Sequence, residues 1–255
     1  MMKARIRAAV ASRWPKVKEY LRVLPRYLAT LFWEALWLGI KLMLTGFLVG
    51  VGFWLALGYL CSCCHAAEAT IPRAALPYRT ELTRAAHATW GLNAPIAVFA
   101  AQVDAESGWN SEARSPVGAQ GLAQFMPSTA RWLPTVAPET GEPAPFNAGW
   151  SLRALCTYDK WLWDRTDGAN DFERMAFALS AYNGGLGWVN RDKRLAERQG
   201  VDPCRWFGGV ETVNAGRSAS AWKENRAYPR RNLKERQYAY IRAGWGPGIA
   251  AGDLP

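Results

Sequence analysis

Residues 94–127 read APIAVFAAQVDAESGWNSEARSPVGAQGLAQFMP. The first half predicts a helix over 95–108, because Pro is favoured at a helix start and Gly at a helix end. The apolar residues spaced to share one face of this helix are Ile96, Phe99 and Val103. Glu106 continues the same spacing. One carboxylate is therefore expected to point towards the protein interior at the end of a helix.

A carboxyl group in this position suits a general acid. Loss of hydration disfavours the charged form, so the pKa of Glu106 is expected to rise towards neutrality. Asp104, two positions earlier, points to nearly the opposite side and is expected to face solvent. The alternative is a structural carboxylate that accepts hydrogen bonds from a loop, and the helix alone leaves both interpretations open.

Three further helical segments follow, over 151–165, 171–182 and 187–199. Ser151 and Asp171 are residue types that cap helix N-termini, and a Gly pair after the second segment is placed to end it. The body of the chain shows no convincing alternation of apolar and polar residues of the kind typical of strands. It is therefore predicted to be mainly α.

The N-terminal part has the pattern of a membrane anchor. Residues 42–60 form an uninterrupted stretch of 19 residues without charge. A helix that rises about 1.5 Å per residue would nearly span a hydrocarbon core of about 30 Å with it. Eight Lys and Arg residues precede it within 1–30, which favours a cytoplasmic N-terminus. A cleavable signal peptide is the alternative, because small residues flank His65, although the basic arm is long for one.

These patterns divide the chain into five parts. They are a basic cytoplasmic arm over 1–30, one transmembrane anchor over 31–60, a linker over 61–77, a helical domain over 78–190 and a basic C-terminal extension over 191–255 packed on that domain.

Charge and cysteine usage argue against two classes of function. The net charge of +10 is concentrated at the N-terminus, with +7 within residues 1–60 and +3 in the remainder, so a nucleic-acid partner is not expected. The five cysteines and two histidines show no spacing typical of a zinc site. No metal or cofactor is therefore expected, and a disulfide between Cys156 and Cys204 is left open.

Three motifs occur in order along the helical body. They read ESGWN at 106–110, GLAQFMP at 121–127 and AYNGG at 181–185. Together they resemble the catalytic domain of soluble lytic transglycosylases, which are relatives of goose-type lysozyme. The resemblance implies a lysozyme-like helical fold, preceded here by the N-terminal transmembrane helix.

The sequence departs from this family at two places. Ala123 stands where the family usually has Met, which is expected to widen the groove. The family often ends in a segment with Arg and Tyr two residues apart. Arg236 and Tyr238 resemble it, but the usual Glu two residues before the Arg is absent, because Lys234 stands there.

The resemblance implies cleavage of the β-1,4 bond between N-acetylmuramic acid and N-acetylglucosamine in peptidoglycan. Glu106 would act first as acid and then as base, and the muramic acid would form a 1,6-anhydro ring. The sugar's own acetamido group would stabilise the cation, since the motifs offer no well-placed second carboxylate. The implied substrate-binding residues are Ser107, Trp109, Gln124, Phe125, Tyr182, Asn183 and Tyr238.

Two other functions are compatible with the same motifs. A hydrolytic lysozyme would need a carboxylate to activate water, and Asp104 and Glu112 are the nearest candidates. An inactive peptidoglycan-binding scaffold would need the groove but no acid. The presence of Glu106 together with Gln124 and Tyr182 argues against the scaffold.

The anchor and the motifs together predict a single-pass protein of the bacterial inner membrane, with its catalytic domain in the periplasm. The expected partners are peptidoglycan glycan strands and the membrane, and by analogy an envelope-spanning secretion or conjugation machine. Beyond residue 190, thirteen Lys and Arg residues stand against seven acidic residues. This surface is expected to be either solvated or in contact with the carboxylates of stem peptides.

Overall fold

The structure, a computed structural model, describes residues 32–47, residue 50 and residues 70–251. The chain divides into two units, Met1–Ala67 and Glu68–Pro255. In the first unit, residues 32–47 are helical and are called α1.

The predicted membrane anchor is described only in part. Among the residues that the structure describes, none of the helices combines the length and apolar character needed to cross a bilayer. The basic arm over 1–30, most of the apolar stretch over 42–60 and most of the linker lie outside the described residues.

The second unit is built from eight α-helices within residues 70–251. They are α2 (Arg79–Trp90), α3 (Ile96–Ser107), α4 (Pro127–Val136), α5 (Ala148–Trp163), α6 (Asp171–Gly184), α7 (Leu186–Arg198), α8 (Ala219–Arg230) and α9 (Gln237–Arg242). A π-helical turn over Arg231–Arg236 joins α8 to α9. Short 3-10 turns span Arg73–Tyr78, Pro138–Thr140 and Val210–Thr212. The β-structure described within residues 70–251 consists of two isolated β-bridges. The prediction of a mainly α body is therefore confirmed.

Helix α3 lies at the centre of the unit. Its residues 96–103 are all buried, because the helix is apolar on every side. Helix α2 packs on one side of it, and α9 with the π-helical turn packs on another. The helix ends at Gly108, whose φ of 58° is left-handed and whose N–H donates to the carbonyl of Asp104 at 3.1 Å. The buried course of α3 places Glu106 at the edge of the core.

Asp104 does not face open solvent as expected. Its side chain is 21% exposed and lies 3.5 Å from Nε of Arg236. Burial raises the pKa of Asp104, while the charge of Arg236 and a hydrogen bond with Tyr240 oppose that rise. The reason is that residues after α8 return to cover this side of α3, a long-range contact that helical periodicity does not reveal.

The C-terminal part belongs to the same compact unit. Helix α7 continues across residue 190, and α8 packs along α6. Asp192 on α7 is buried and accepts hydrogen bonds from Arg217 at 3.4 Å and Arg226 at 2.9 Å. These contacts hold α8 and the turn before it against α7.

Candidate active site

Glu106 lines a cavity of about 380 Å³ in the second unit. The hydroxyl of Tyr228 donates a hydrogen bond of 2.5 Å to its Oε1. Glu106 comes from the last turn of α3 and Tyr228 from α8, so two distant segments meet at this carboxyl. The cavity is also lined by Gln124, Phe125, Tyr158, Tyr182, Asn183 and Glu224.

The surroundings of Glu106 raise its pKa to about 7. Burial is the main cause, and the negative charge of Glu224 acts in the same direction. The hydrogen bond from Tyr228 and the positive charge of Arg231 oppose the rise, because both favour the ionised carboxylate. At neutral pH this carboxyl is therefore able both to donate and to accept a proton.

A tight loop over residues 120–125 forms one wall of the cavity. The backbone of Gln120 pairs with that of Phe125 in both directions at 3.0 Å. Gln124 has a φ of 48°, and its Nε2 donates to the carbonyl of Gly121 at 2.9 Å and to that of Ala113 at 3.2 Å. The amide of Gln124 thus holds the loop in shape at the cavity wall.

Gly121 is required in this loop. Its φ is 74°, and a Cβ at this position would lie 1.7 Å from the carbonyl oxygen of Pro145. A side chain would therefore force the loop away from the segment before α5.

Tyr182 and Asn183 lie near the end of α6, where Tyr182 bonds to the loop and Asn183 bonds to α8. The hydroxyl of Tyr182 donates to the carbonyl of Ala123 at 2.7 Å. Asn225 on α8 donates from Nδ2 to Oδ1 of Asn183 at 3.1 Å and to the carbonyl of Ser180 at 2.8 Å. Both motif residues line the cavity while they hold its walls together.

Three residues expected at the site do not line this cavity. Ser107 donates to the carbonyl of Val103 at 3.3 Å, which is a local hydrogen bond within α3. Trp109 is 2% exposed, and its Nε1 donates to the hydroxyl of Tyr240 at 2.7 Å in an aromatic cluster. Tyr238 lies on α9 with 39% of its surface exposed.

Sequence reasoning did not identify Tyr228, although a signal was present. The segment that it belongs to reads ENRAY at 224–228, with Glu followed by Arg and Tyr two residues apart. This segment matches the family pattern more fully than Arg236 and Tyr238 do, because here the Glu stands two residues before the Arg. The structure places this Tyr against Glu106.

A second carboxylate stands beside the cavity, but not one of the two considered from the sequence. Glu224 lines the cavity, whereas Asp104 and Glu112 do not. Asp159, buried in α5, accepts from Nε2 of Gln102 at 3.3 Å, and burial raises its pKa well above the ordinary value. Asp159 is fully buried and does not line the cavity, so it is not placed to activate water there.

The described residues contain no cluster of three or more His, Cys, Asp or Glu side chains able to hold a metal ion. Cys156 is buried in α5 and Cys204 is partly exposed, and each is a free thiol.

The family model of the transglycosylase SLT domain matches residues 81–203. The membrane-bound lytic murein transglycosylase F of Shewanella frigidimarina is 36% identical over 122 residues, which cover 48% of this chain and 24% of that protein. The protein of the same name from Mannheimia succiniciproducens is 33% identical over 138 residues, or 54% of this chain and 25% of its own. The chain thus matches about a quarter of the length of these relatives.

Among solved structures, the 70-kDa soluble lytic transglycosylase of Escherichia coli matches this chain with a TM-score of 0.49 and 23% sequence identity. The match covers 69% of this chain and 26% of that protein. The match of the family model contains α3, the loop and the Tyr182 motif, and it ends before α8. Through residues 81–203, nearly half of its length, this chain is thus similar to the transglycosylase SLT domain family.

Proposed function

We propose that this chain is a peptidoglycan lytic transglycosylase in which Glu106 serves as both acid and base. The observation that carries the proposal is the position of Glu106 in a cavity, where it accepts a hydrogen bond from Tyr228. The surroundings raise the pKa of Glu106 to about 7. Similarity to the SLT domain family and the names of the matched relatives support the choice of peptidoglycan as substrate.

The reaction begins with protonated Glu106. It donates its proton to the glycosidic oxygen as the bond from C1 of N-acetylmuramic acid to that oxygen breaks. The acetamido oxygen of the same sugar stabilises the positive charge at C1. Ionised Glu106 then removes the proton of the 6-hydroxyl, whose oxygen bonds to C1 and closes the 1,6-anhydro ring. No water is consumed, and Glu106 ends protonated again.

The neighbours of Glu106 position it and the substrate. Tyr228 fixes one carboxyl oxygen and steadies the charge that appears after the first proton transfer. Tyr182 holds the carbonyl of Ala123 and thereby the loop that carries Gln124 and Phe125. Asn183 faces the same cavity from the end of α6. These residues are the proposed substrate-binding wall.

A hydrolytic lysozyme on the same fold is the second candidate, because Glu224 also lines the cavity. A second carboxylate that activates water would give an ordinary reducing sugar as product. Glu224 is exposed and also raises the pKa of Glu106 by its charge. Because Glu224 lines the cavity, a hydrolytic lysozyme is favoured over a glycan-binding scaffold without activity.

The test of the assignment compares two substitutions in the full chain, purified in detergent. Glu106→Gln removes the proton but keeps the shape, so release of soluble fragments from purified peptidoglycan is expected to fall at least about a thousandfold. Glu112→Gln is the matched control, since Glu112 is an exposed carboxylate of the following loop that does not line the cavity. An active Glu106→Gln protein would overturn the assignment.

We further propose that residues 31–60 anchor the protein in the bacterial inner membrane, with the N-terminus cytoplasmic and the catalytic unit periplasmic. The apolar stretch and the basic residues before it favour this topology, and the names of the membrane-bound relatives support an association with a membrane. An envelope-spanning secretion or conjugation machine is the proposed partner. Protease treatment of spheroplasts should degrade the catalytic unit, and its protection would contradict the topology.

A further inference from the structure

The side-chain amide of Asn183 is held by a chain of hydrogen bonds that begins in the core. Its neighbour in this chain is Asn225 on α8, which is 1% exposed and uses both ends of its own amide. Oδ1 of Asn225 accepts from Nη1 of Arg226 at 2.7 Å and from Oγ of Ser180 at 2.9 Å. Nδ2 of Asn225 donates to the carbonyl of Ser180 at 2.8 Å and to Oδ1 of Asn183 at 3.1 Å.

Two neighbours fix the orientation of the Asn225 amide independently. The guanidinium of Arg226 can only donate, so the atom of Asn225 that faces it must be oxygen. The backbone carbonyl of Ser180 can only accept, so the atom of Asn225 that faces it must be nitrogen. A rotated amide would set N–H against N–H and oxygen against oxygen in a buried place, which is costly.

The orientation of Asn225 in turn decides the orientation of Asn183. Because Nδ2 of Asn225 donates, the atom of Asn183 that it meets must be the amide oxygen. The amide nitrogen is then the end of Asn183 that is left for the cavity, which Asn183 lines together with Glu106. The two ends of an amide are nearly equal in size, so shape alone would not choose between them.

Arg226 gives this chain of hydrogen bonds a fixed origin. Its Nη2 lies 2.9 Å from Oδ2 of the fully buried Asp192 on α7, and its Nε donates to the carbonyl of Glu211 at 3.0 Å. The guanidinium therefore cannot turn without breaking a buried, charge-assisted hydrogen bond.

Gly184 allows α6 and α8 to approach closely at this point. A Cβ on Gly184 would lie 2.6 Å from Nδ2 of Asn225. The glycine directly after Asn183 thus leaves the space in which Asn225 reaches it.

We propose that Asn225 is a positioning residue that turns the amide nitrogen of Asn183 towards the catalytic cavity, so that Asn183 binds an acceptor oxygen of the glycan. The inference rests on the proposed function, which brings a glycan into this cavity. The opposite orientation of Asn183 would present a carbonyl oxygen and would select a hydroxyl or N–H donor instead.

A double-mutant cycle in the full-length protein tests whether Asn225 acts through Asn183. The measured quantity is kcat/KM for release of soluble fragments from purified peptidoglycan. Asn183→Ala is expected to lower it about tenfold, and Asn225→Ala about threefold to tenfold, because the amide of Asn183 then loses its fixed direction. The double variant should be no slower than Asn183→Ala alone, since both changes remove the same interaction.

Ser180→Ala is the matched control. It also removes a buried hydrogen bond of Asn225, but Arg226 and the carbonyl of residue 180 still fix the amide. It should lower the midpoint of thermal unfolding and yet leave kcat/KM within about twofold of the wild type.

Asn183→Asp tests the direction of the amide. The carboxylate still accepts from Asn225 but offers no N–H to the cavity. Below about pH 6, where Glu106 with its pKa of about 7 stays protonated, kcat/KM should fall as far as in Asn183→Ala. The midpoint of thermal unfolding should stay close to that of the wild type, so this variant decides the direction even if Asn225→Ala does not fold.

Three results would overturn the inference while the proposed function stands. They are losses that multiply in the double variant, an Asn183→Asp protein as active as the wild type, and a Ser180→Ala protein as slow as Asn225→Ala. The last would mean that Asn225 acts only through the stability of the contact between α6 and α8. If the wild type released no fragments, the proposed function itself would fail and the inference with it.

Discussion

At the scale of single residues, the defining contact of the site joins Tyr228 to Glu106 across 122 positions of sequence. Local periodicity predicted that Glu106 would point inward with a raised pKa, and its pKa of about 7 agrees. The same reasoning could not supply Tyr228, because nothing within α3 or its motifs specifies which distant side chain meets the carboxyl. The order of Glu, Arg and Tyr at 224–228 was the available signal.

Replacing Tyr228 by Phe removes a hydrogen bond that favours the ionised form of Glu106. The pKa of Glu106 should therefore rise further, by about one to two units, since a hydrogen bond to a charged group contributes about 1.5–3 kcal/mol. In the proposed mechanism cleavage begins with the protonated acid, so the alkaline limb of kcat/KM against pH should move to higher pH in Tyr228→Phe. A limb that stays in place or moves to lower pH would show that Tyr228 does not act on this carboxyl.

Trp109 and Ser107, unlike Glu106, do not line the cavity. Both belong to the first motif, yet Trp109 packs against Tyr78 and Trp245 in the core, and Ser107 bonds to its own helix. The sequence predicts Trp109 and Ser107 as substrate-binding residues. The left-handed φ of 68° at Trp109 turns its ring back into the core instead.

At the scale of helices, the best prediction concerned α3. The predicted limits of 95–108 differ by one residue at each end from Ile96–Ser107, because Pro95 and Gly108 are strong local signals. The start of α5 was less well predicted. Asn147, whose side chain accepts from the N–H of Trp150 at 2.9 Å, caps it four residues before the expected Ser151. Both residue types cap helices, and sequence alone did not separate them.

Helix α5 also contains a buried carboxyl that should make stability depend on pH. Asp159 is fully buried, and Oδ2 of Asp159 and Oε1 of Gln102 have no partners in the described part of the chain. Its pKa is raised well above the ordinary value by burial. The folded protein therefore binds a proton that the unfolded chain releases above about pH 4, and the free energy of unfolding falls as pH rises.

Asp159→Asn should remove this pH dependence, since the amide is neutral and can both donate to and accept from Gln102. The gain in the free energy of unfolding relative to the wild type should grow as pH rises above about 4, by up to about 1.4 kcal/mol per pH unit. Urea unfolding at several pH values measures it. A difference that is constant with pH would mean that Asp159 is ionised in the folded protein.

At the scale of the whole chain, the site extends beyond the segment that defines the family. Residues 81–203 supply Glu106, the loop and Tyr182, whereas Tyr228 and Glu224 come from later residues. The sequence predicted a basic extension packed on the domain. What it could not predict was that this extension completes the cavity, because that depends on the buried ion pairs of Asp192 that place α8.

The central claim is that one carboxyl carries the whole reaction without water. The most direct test is mass spectrometry of the muropeptides that the full-length protein releases from purified peptidoglycan. The proposed mechanism predicts products lighter by one water than hydrolysis products, with anhydro ends in place of reducing muramic acid. Reducing products would contradict it and would assign Glu224 as the base that activates water.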